Sequence, residues 1–176
     1  MKKVMAVAAL LVLAFLFAGC GDNPFDPEGW QTESYQGFNL RWRVQGSDLE
    51  VELTGPSTGW VAVGFGGSYL MHDSNIIIGA VSGSGCSIRD DFGIDSNTHV
   101  SDSSLPGGQQ NVYDKSGSEA SGSTTITFTT PLDSGDIYDN VLAKGQNCTV
   151  LLMCGADGND NLDSNHETIA NTSITI

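Results

Sequence analysis

Phe38-Asn39-Leu40-Arg41-Trp42-Arg43-Val44 and Asp48-Leu49-Glu50-Val51-Glu52-Leu53, joined by Gln45-Gly46-Ser47, decide the fold. In both runs every second residue is apolar and the others are polar or charged, the period of a strand with one face buried and one wet. The short connection makes them an antiparallel hairpin. Working outward, the spacing predicts further strands over 59–65, 75–81, 86–92, 124–130, 149–154 and 168–176. Beyond the amino-terminal leader no segment carries an apolar period of 3.6 residues; Ile137 to Leu142 is the one helical candidate, about a turn long. Short antiparallel strands at this density predict an all-β fold, an antiparallel two-layer β-sandwich of immunoglobulin-like form. The polar, Ser- and Gly-rich stretch 93–122 is expected to be a largely irregular excursion.

The chain has 176 residues, 21 acidic against 7 basic, and a net charge of −14. That length supports one ordinary domain with a short appendage. Nucleic acid is excluded as a partner on charge, because phosphate binding relies on clustered Lys and Arg. Lys2 and Lys3 precede an apolar run from Val4 to Ala18, a positive head and hydrophobic segment too short for a membrane span. Leu16-Phe17-Ala18-Gly19-Cys20 resembles a bacterial lipobox, which makes residues 1–19 a cleaved lipoprotein signal peptide and Cys20 the lipidated first residue of the mature protein. Residues 20–29, with two prolines and three acids, read as a linker; the folded domain is expected over 30–176. Several acyl chains on one cysteine give durable anchoring. The protein is therefore expected on the outer side of a bacterial membrane, periplasmic or at the cell surface, and Gly21 rather than Asp after Cys20 favours the outer membrane.

Four motifs then occur in order: Gly59-Trp60-Val61-Ala62-Val63-Gly64-Phe65-Gly66, Met71-His72-Asp73-Ser74-Asn75-Ile76-Ile77-Ile78-Gly79, Ile88-Arg89-Asp90-Asp91-Phe92, and Thr125 through Asp136. Together they resemble the DOMON domain, a family of β-sandwiches that bind haem or sugar and that includes the cytochrome domain of cellobiose dehydrogenase. The resemblance spans Trp30 to Ile176. It implies a non-covalent haem b held between a methionine and a histidine, which fall here at Met71 and His166 as axial ligands of the iron. Thioether and imidazole ligation raises the potential and suits electron transfer. No Cys-x-x-Cys-His occurs, so covalent attachment is not expected. The chain departs from bacterial relatives in reading Asn165-His166-Glu167-Thr168 where many have two histidines and an arginine, which leaves the propionates without an obvious basic partner.

Each of these residues has a plainer account. A methionine beside Tyr69 and Leu70 is usually a packing residue, as Met153 is expected to be within Val150–Cys154; His166 among Asp163, Ser164, Asn165 and Glu167 reads alone as a solvated loop histidine. His72 competes as a ligand, and His99 lies in the irregular stretch. The run Asp157-Gly158-Asn159-Asp160-Asn161-Leu162-Asp163 alternates oxygen ligands as calcium loops do, but Leu162 replaces the glycine and Thr168 the closing glutamate, so a polar loop is the expectation. No hydrolase, metalloprotease or phosphate-loop motif is present, and no catalytic residue is assigned.

With Cys20 lipidated, Cys86, Cys148 and Cys154 remain for one disulfide. If Met71 and His166 share one end of the sandwich, and 149–154 runs toward the His166 loop, Cys86 and Cys148 meet at the other end, and that pairing is expected. The function expected is that of an anchored electron carrier acting on a redox partner protein. The alternative is a haem-free module that binds carbohydrate or a surface partner through Trp30, Trp42, Trp60 or Tyr69, and a purely structural lipoprotein is a third reading.

Overall fold

The computed structural model describes residues 29–83 and 85–176, with every side chain in that range except those of Ser68 and Tyr69. The signal peptide, Cys20 and nearly all of the linker lie outside the described residues. Among the described residues, eleven strands form two antiparallel sheets: β1 Gln31–Tyr35, β2 Phe38–Gln45, β3 Asp48–Gly55, β4 Val61–Tyr69, β5 His72–Ser82, β6 Gly85–Gly93, β7 His99–Ser101, β8 Tyr113–Ala120, β9 Ser123–Pro131, β10 Asn147–Cys154 and β11 Thr168–Thr175. One sheet runs β1-β2-β3-β9-β8 and the other β11-β10-β4-β5-β6-β7.

The expected hairpin is β2–β3. Its apolar residues meet across the ladder and continue into β9, Leu40 opposite Leu53 opposite Ile126 and Trp42 opposite Val51 opposite Phe128, all buried. The wet face carries the cross-strand ion pairs Arg41–Glu52 (3.2 Å) and Arg43–Glu50 (2.7 Å), with both guanidinium groups stacked on the Trp30 ring.

The second sheet follows a different rule. Its central strands are apolar at consecutive positions because both of their faces are covered. Val61, Val63, Phe65, Ile77, Val150 and Leu152 face the first sheet and form the interior. Ala62, Ile76, Ile78, Leu151 and Met153 face outward, where Trp60, Met71 and Leu162 cover them. The cover comes from the turn between β4 and β5 and from the connection 155–167, which doubles back over the sheet.

Three expectations change. The stretch 93–122 contains two strands, β7 and β8, and a 3-10 turn at Asp102–Ser104. Residues 137–142 form a turn in an irregular connection rather than a helix. Cys86, Cys148 and Cys154 are unbonded, so the expected Cys86–Cys148 bridge is absent. The reason is direction: β10 runs antiparallel to β4 with Val150 opposite Phe65, which puts Cys148 toward the Met71 end, whereas Cys86 pairs with Val81 at the opposite end of β5. With β4 and β5 also between their strands, the two sulfurs are far beyond disulfide reach.

Candidate functional site

The outward face of the second sheet carries a cleft of about 90 Å³ lined by Trp60, Met71, Asn97, Thr98, His99, Asp163, Ser164, Asn165 and His166. Met71 sits in the turn between β4 and β5, is 1% exposed, and forms part of the cleft floor. Its backbone lies so close to the end of β6 that a Cβ at Gly93 would collide with the Met71 carbonyl. His166, half-buried, stands at the end of the 155–167 cover, two residues before β11 begins. The fold thus brings together two side chains 95 positions apart in the sequence. His72, the competing neighbour, is not among the residues that line the cleft and pairs with Asp73 at 2.8 Å.

The cover is held by hydrogen bonds at both ends. The Trp60 N–H donates to the Asn159 carbonyl (3.0 Å) and the Gly155 N–H to the Trp60 carbonyl (2.9 Å). The indole N–H of Trp60, a residue 1% exposed, donates to Ser164 Oγ (2.8 Å). Asn159 Nδ2 donates to the same oxygen (2.9 Å), and that hydroxyl donates to the Asn161 carbonyl (2.7 Å), so its hydrogen-bonding capacity is filled. Most of the calcium-like run 157–163 is engaged in this work: Asp157 accepts the Thr58 N–H, Asn159 and Asn161 accept backbone N–H groups of their own loop, and Asp163 pairs with Arg89, while Asp160 Oδ1 is buried without a partner.

A charged group that sequence reading missed stands behind two of the lining residues, His99 and Asp163. Arg89 and Asp91 on β6 lie across from Ile78 and Ile76, which places them on the outward face. Asp91, fully buried, accepts Arg89 Nε (2.6 Å) and Nη2 (2.8 Å) and also lies 2.6 Å from His99 Nδ1. Arg89 reaches on to Asp163 at 2.7 Å, tying β6 to the cover. The hydrogen bonds that Arg89 donates to Asp91 raise its pKa above the ordinary value, so this cation stays charged at the rim. His99 is oriented through Nδ1 by a carboxylate, the usual arrangement for a histidine whose other nitrogen has work to do. The alternation of Arg89, Asp90 and Asp91 along one strand was the available signal.

Of the four aromatic residues considered for sugar binding, Trp42 and Trp60 are buried, Trp30 lies under two arginines, and Tyr69 is a side chain outside the description.

A two-sheet β-sandwich with a covered outward face and a small polar-rimmed cleft is the class that fold and site define. The DOMON domain model matches residues 34–155, more than two thirds of the sequence, and the chain belongs to that family. His166 lies just beyond the matched segment. The fold is similar to that of the cytochrome domain of Myriococcum thermophilum cellobiose dehydrogenase, with a TM-score of 0.61 at 12% identity over 84% of this chain and 81% of that one. It is also similar to the cytochrome b domain of pyranose dehydrogenase from Coprinopsis cinerea, with a TM-score of 0.56 at 15% identity over 78% of this chain and 76% of that one. No curated protein matches in sequence.

Proposed function

We propose that the chain is a lipid-anchored, extracytoplasmic electron-transfer protein that holds a b-type haem between Met71 and His166. The observation that carries the reading is that both residues line one cleft although they are remote in sequence. A thioether and an imidazole are donors that haem iron accepts, so the donor set fits, and the bound group supplies one-electron ferric/ferrous chemistry. At about 90 Å³ the cleft is narrower than the roughly 300–1,000 Å³ usual for small-molecule pockets, so holding a porphyrin would require the 97–99 and 163–166 walls to stand further apart.

The chain's own residues then have distinct tasks. Met71 and His166 would hold the group, and two protein donors to one iron would suit a carrier rather than a catalyst. Trp60 and the apolar outward face exclude water from one side. Arg89 supplies positive charge at the rim, and His99 is a polar group fixed by Asp91. The acidic chain favours a redox partner with a basic docking face, in a transient and salt-sensitive complex. Cys20, lipidated, holds the protein at the membrane, with the outer membrane favoured.

The test is reconstitution of the purified chain with one equivalent of hemin. The expected spectrum is that of a six-coordinate haem, with a sharp Soret band that His166→Ala and Met71→Ala each change. A colourless product, or a spectrum that neither substitution alters, overturns the reading.

A further inference from the structure

On the opposite side of β6 from the cleft lies a second group of side chains. Asp90 pairs across the ladder with Ile77 and therefore faces the interior of the sandwich. There it meets Asp102, from the 3-10 turn at Asp102–Ser104, and Asp139, from the connection between β9 and β10. One carboxylate oxygen from each lies within 4.8 Å of the others. Asp90 and Asp102 are both 0% exposed. Neither oxygen of Asp102 has a hydrogen-bond partner, and Oδ1 of Asp90 has none either. Buried carboxylate oxygens without a partner are costly, and three carboxylates facing one another multiply the cost.

The surroundings relieve it only in part. Asp136 adds a fourth acid, its oxygens taken by the N–H groups of Gln109 and Tyr138. Arg89 turns to the other face of its strand, and Lys115 on β8 donates to the Ile88 carbonyl. Asn111 donates its backbone N–H to Asp90, and Asn75 donates its amide to Asp139, while the side-chain oxygen of each is buried and unpartnered. Three elements from separate parts of the chain therefore converge on one point, where the Ser134 hydroxyl also donates to Asp139 while Asp102 receives no donor at either oxygen.

We infer that Asp90, Asp102 and Asp139 bind a calcium ion, with the Asn75 and Asn111 amide oxygens as neighbouring neutral donors. Two ligands on one ion are separated by at most twice the metal–oxygen distance; at 2.3–2.6 Å for calcium that limit is about 4.6–5.2 Å, which the cluster meets. Magnesium demands near-ideal octahedral geometry and keeps several waters, which three converging buried carboxylates do not accommodate as well. The absence of sulfur and imidazole from the group disfavours zinc and copper. The ion ties the edge of the second sheet to the 132–146 connection, and it braces β6, whose outward Arg89 and Asp91 bond the cleft residues Asp163 and His99. The inference is independent of haem.

The experiment is calorimetric titration of calcium chloride into the full chain stripped with EGTA, paired with thermal melting. The expected result is one calcium per chain with a Kd below about 1 mM, binding to magnesium at least ~10-fold weaker, and a rise in melting temperature on adding calcium. Asp102→Asn removes charge at constant shape, so it relieves repulsion in the metal-free chain and is expected to melt no lower than the metal-free parent while binding calcium at least ~10-fold more weakly. Asp160→Asn, in the 157–163 loop, is expected to bind as the parent does. No binding at about 10 mM calcium, or binding that survives Asp102→Asn and Asp90→Asn but is lost in Asp160→Asn, overturns the inference.

Discussion

Removing the hydroxyl of Ser164 isolates the contact that holds the cover over the cleft. In Ser164→Ala the Asn159 amide, which is half-buried, turns to water, but the indole N–H of Trp60 sits in a residue 1% exposed and has nowhere to go. Leaving a buried donor unpaired costs about 1–3 kcal/mol. For a domain of this size each kcal/mol shifts the melting temperature by roughly 2–4 °C, so a loss of about 2 kcal/mol is expected to lower it by about 4–8 °C. Trp60→Phe removes the donor itself, and in that background Ser164→Ala is expected to cost at least ~1 kcal/mol less, because the pair acts as a unit. Urea and thermal melts of the four chains complete the cycle. Single and double changes that simply add would refute the argument, since the cover would then be held by its backbone contacts alone.

Met71→Ala is expected to destabilise the haem-free chain by about 2–5 kcal/mol, a core truncation, whereas His166→Ala at the rim should stay within about 0.5 kcal/mol; urea titration compares them, and equal losses would contradict the burial that separates the two. Calcium at 100 times its Kd is expected to stabilise the stripped chain by about 2.7 kcal/mol, read by calorimetry. Burial, with the charge of Asp139, pushes Asp90 up to about 8, and burial pushes Asp102 up to about 7. In the metal-free chain these carboxyls hold protons that the unfolded chain has lost, so stability falls as pH rises from about 4 toward 8, by at most ~1.4 kcal/mol per pH unit for each group; a rise over that window would refute the assignment. A thiol reagent is expected to modify Cys86 rapidly in the native chain, and Cys148 and Cys154 only after unfolding; loss of native Cys86 reactivity reversed by a reductant would mean that it is bridged.

The first sheet could be read from its letters because Phe38 to Leu53 alternates strictly. The second sheet's strands were legible as apolar runs, but a run buried on both sides does not say what covers its outward face. Strands β7 and β8 escaped notice for want of apolar residues: β7 has three positions, and every residue of β8 is exposed. The disulfide was misjudged because β10 was oriented by the loop that follows it, and that loop doubles back. Met71 and His166 were named through family motifs. Asp91 with His99, and Asp90 with Asp102 and Asp139, became visible only once the ladder fixed which side of β6 each residue occupies.

That strand carries two adjacent acids committed to opposite destinations. Inserting or deleting a single residue upstream of Asp90 within β6 would swap them, sending one carboxylate out among the cleft residues and turning the arginine's partner inward. A two-residue change keeps each on its own side. Evolution of this edge is thereby confined to even-numbered steps, a parity rule that homologous chains should obey in the spacing between Cys86 and Gly93.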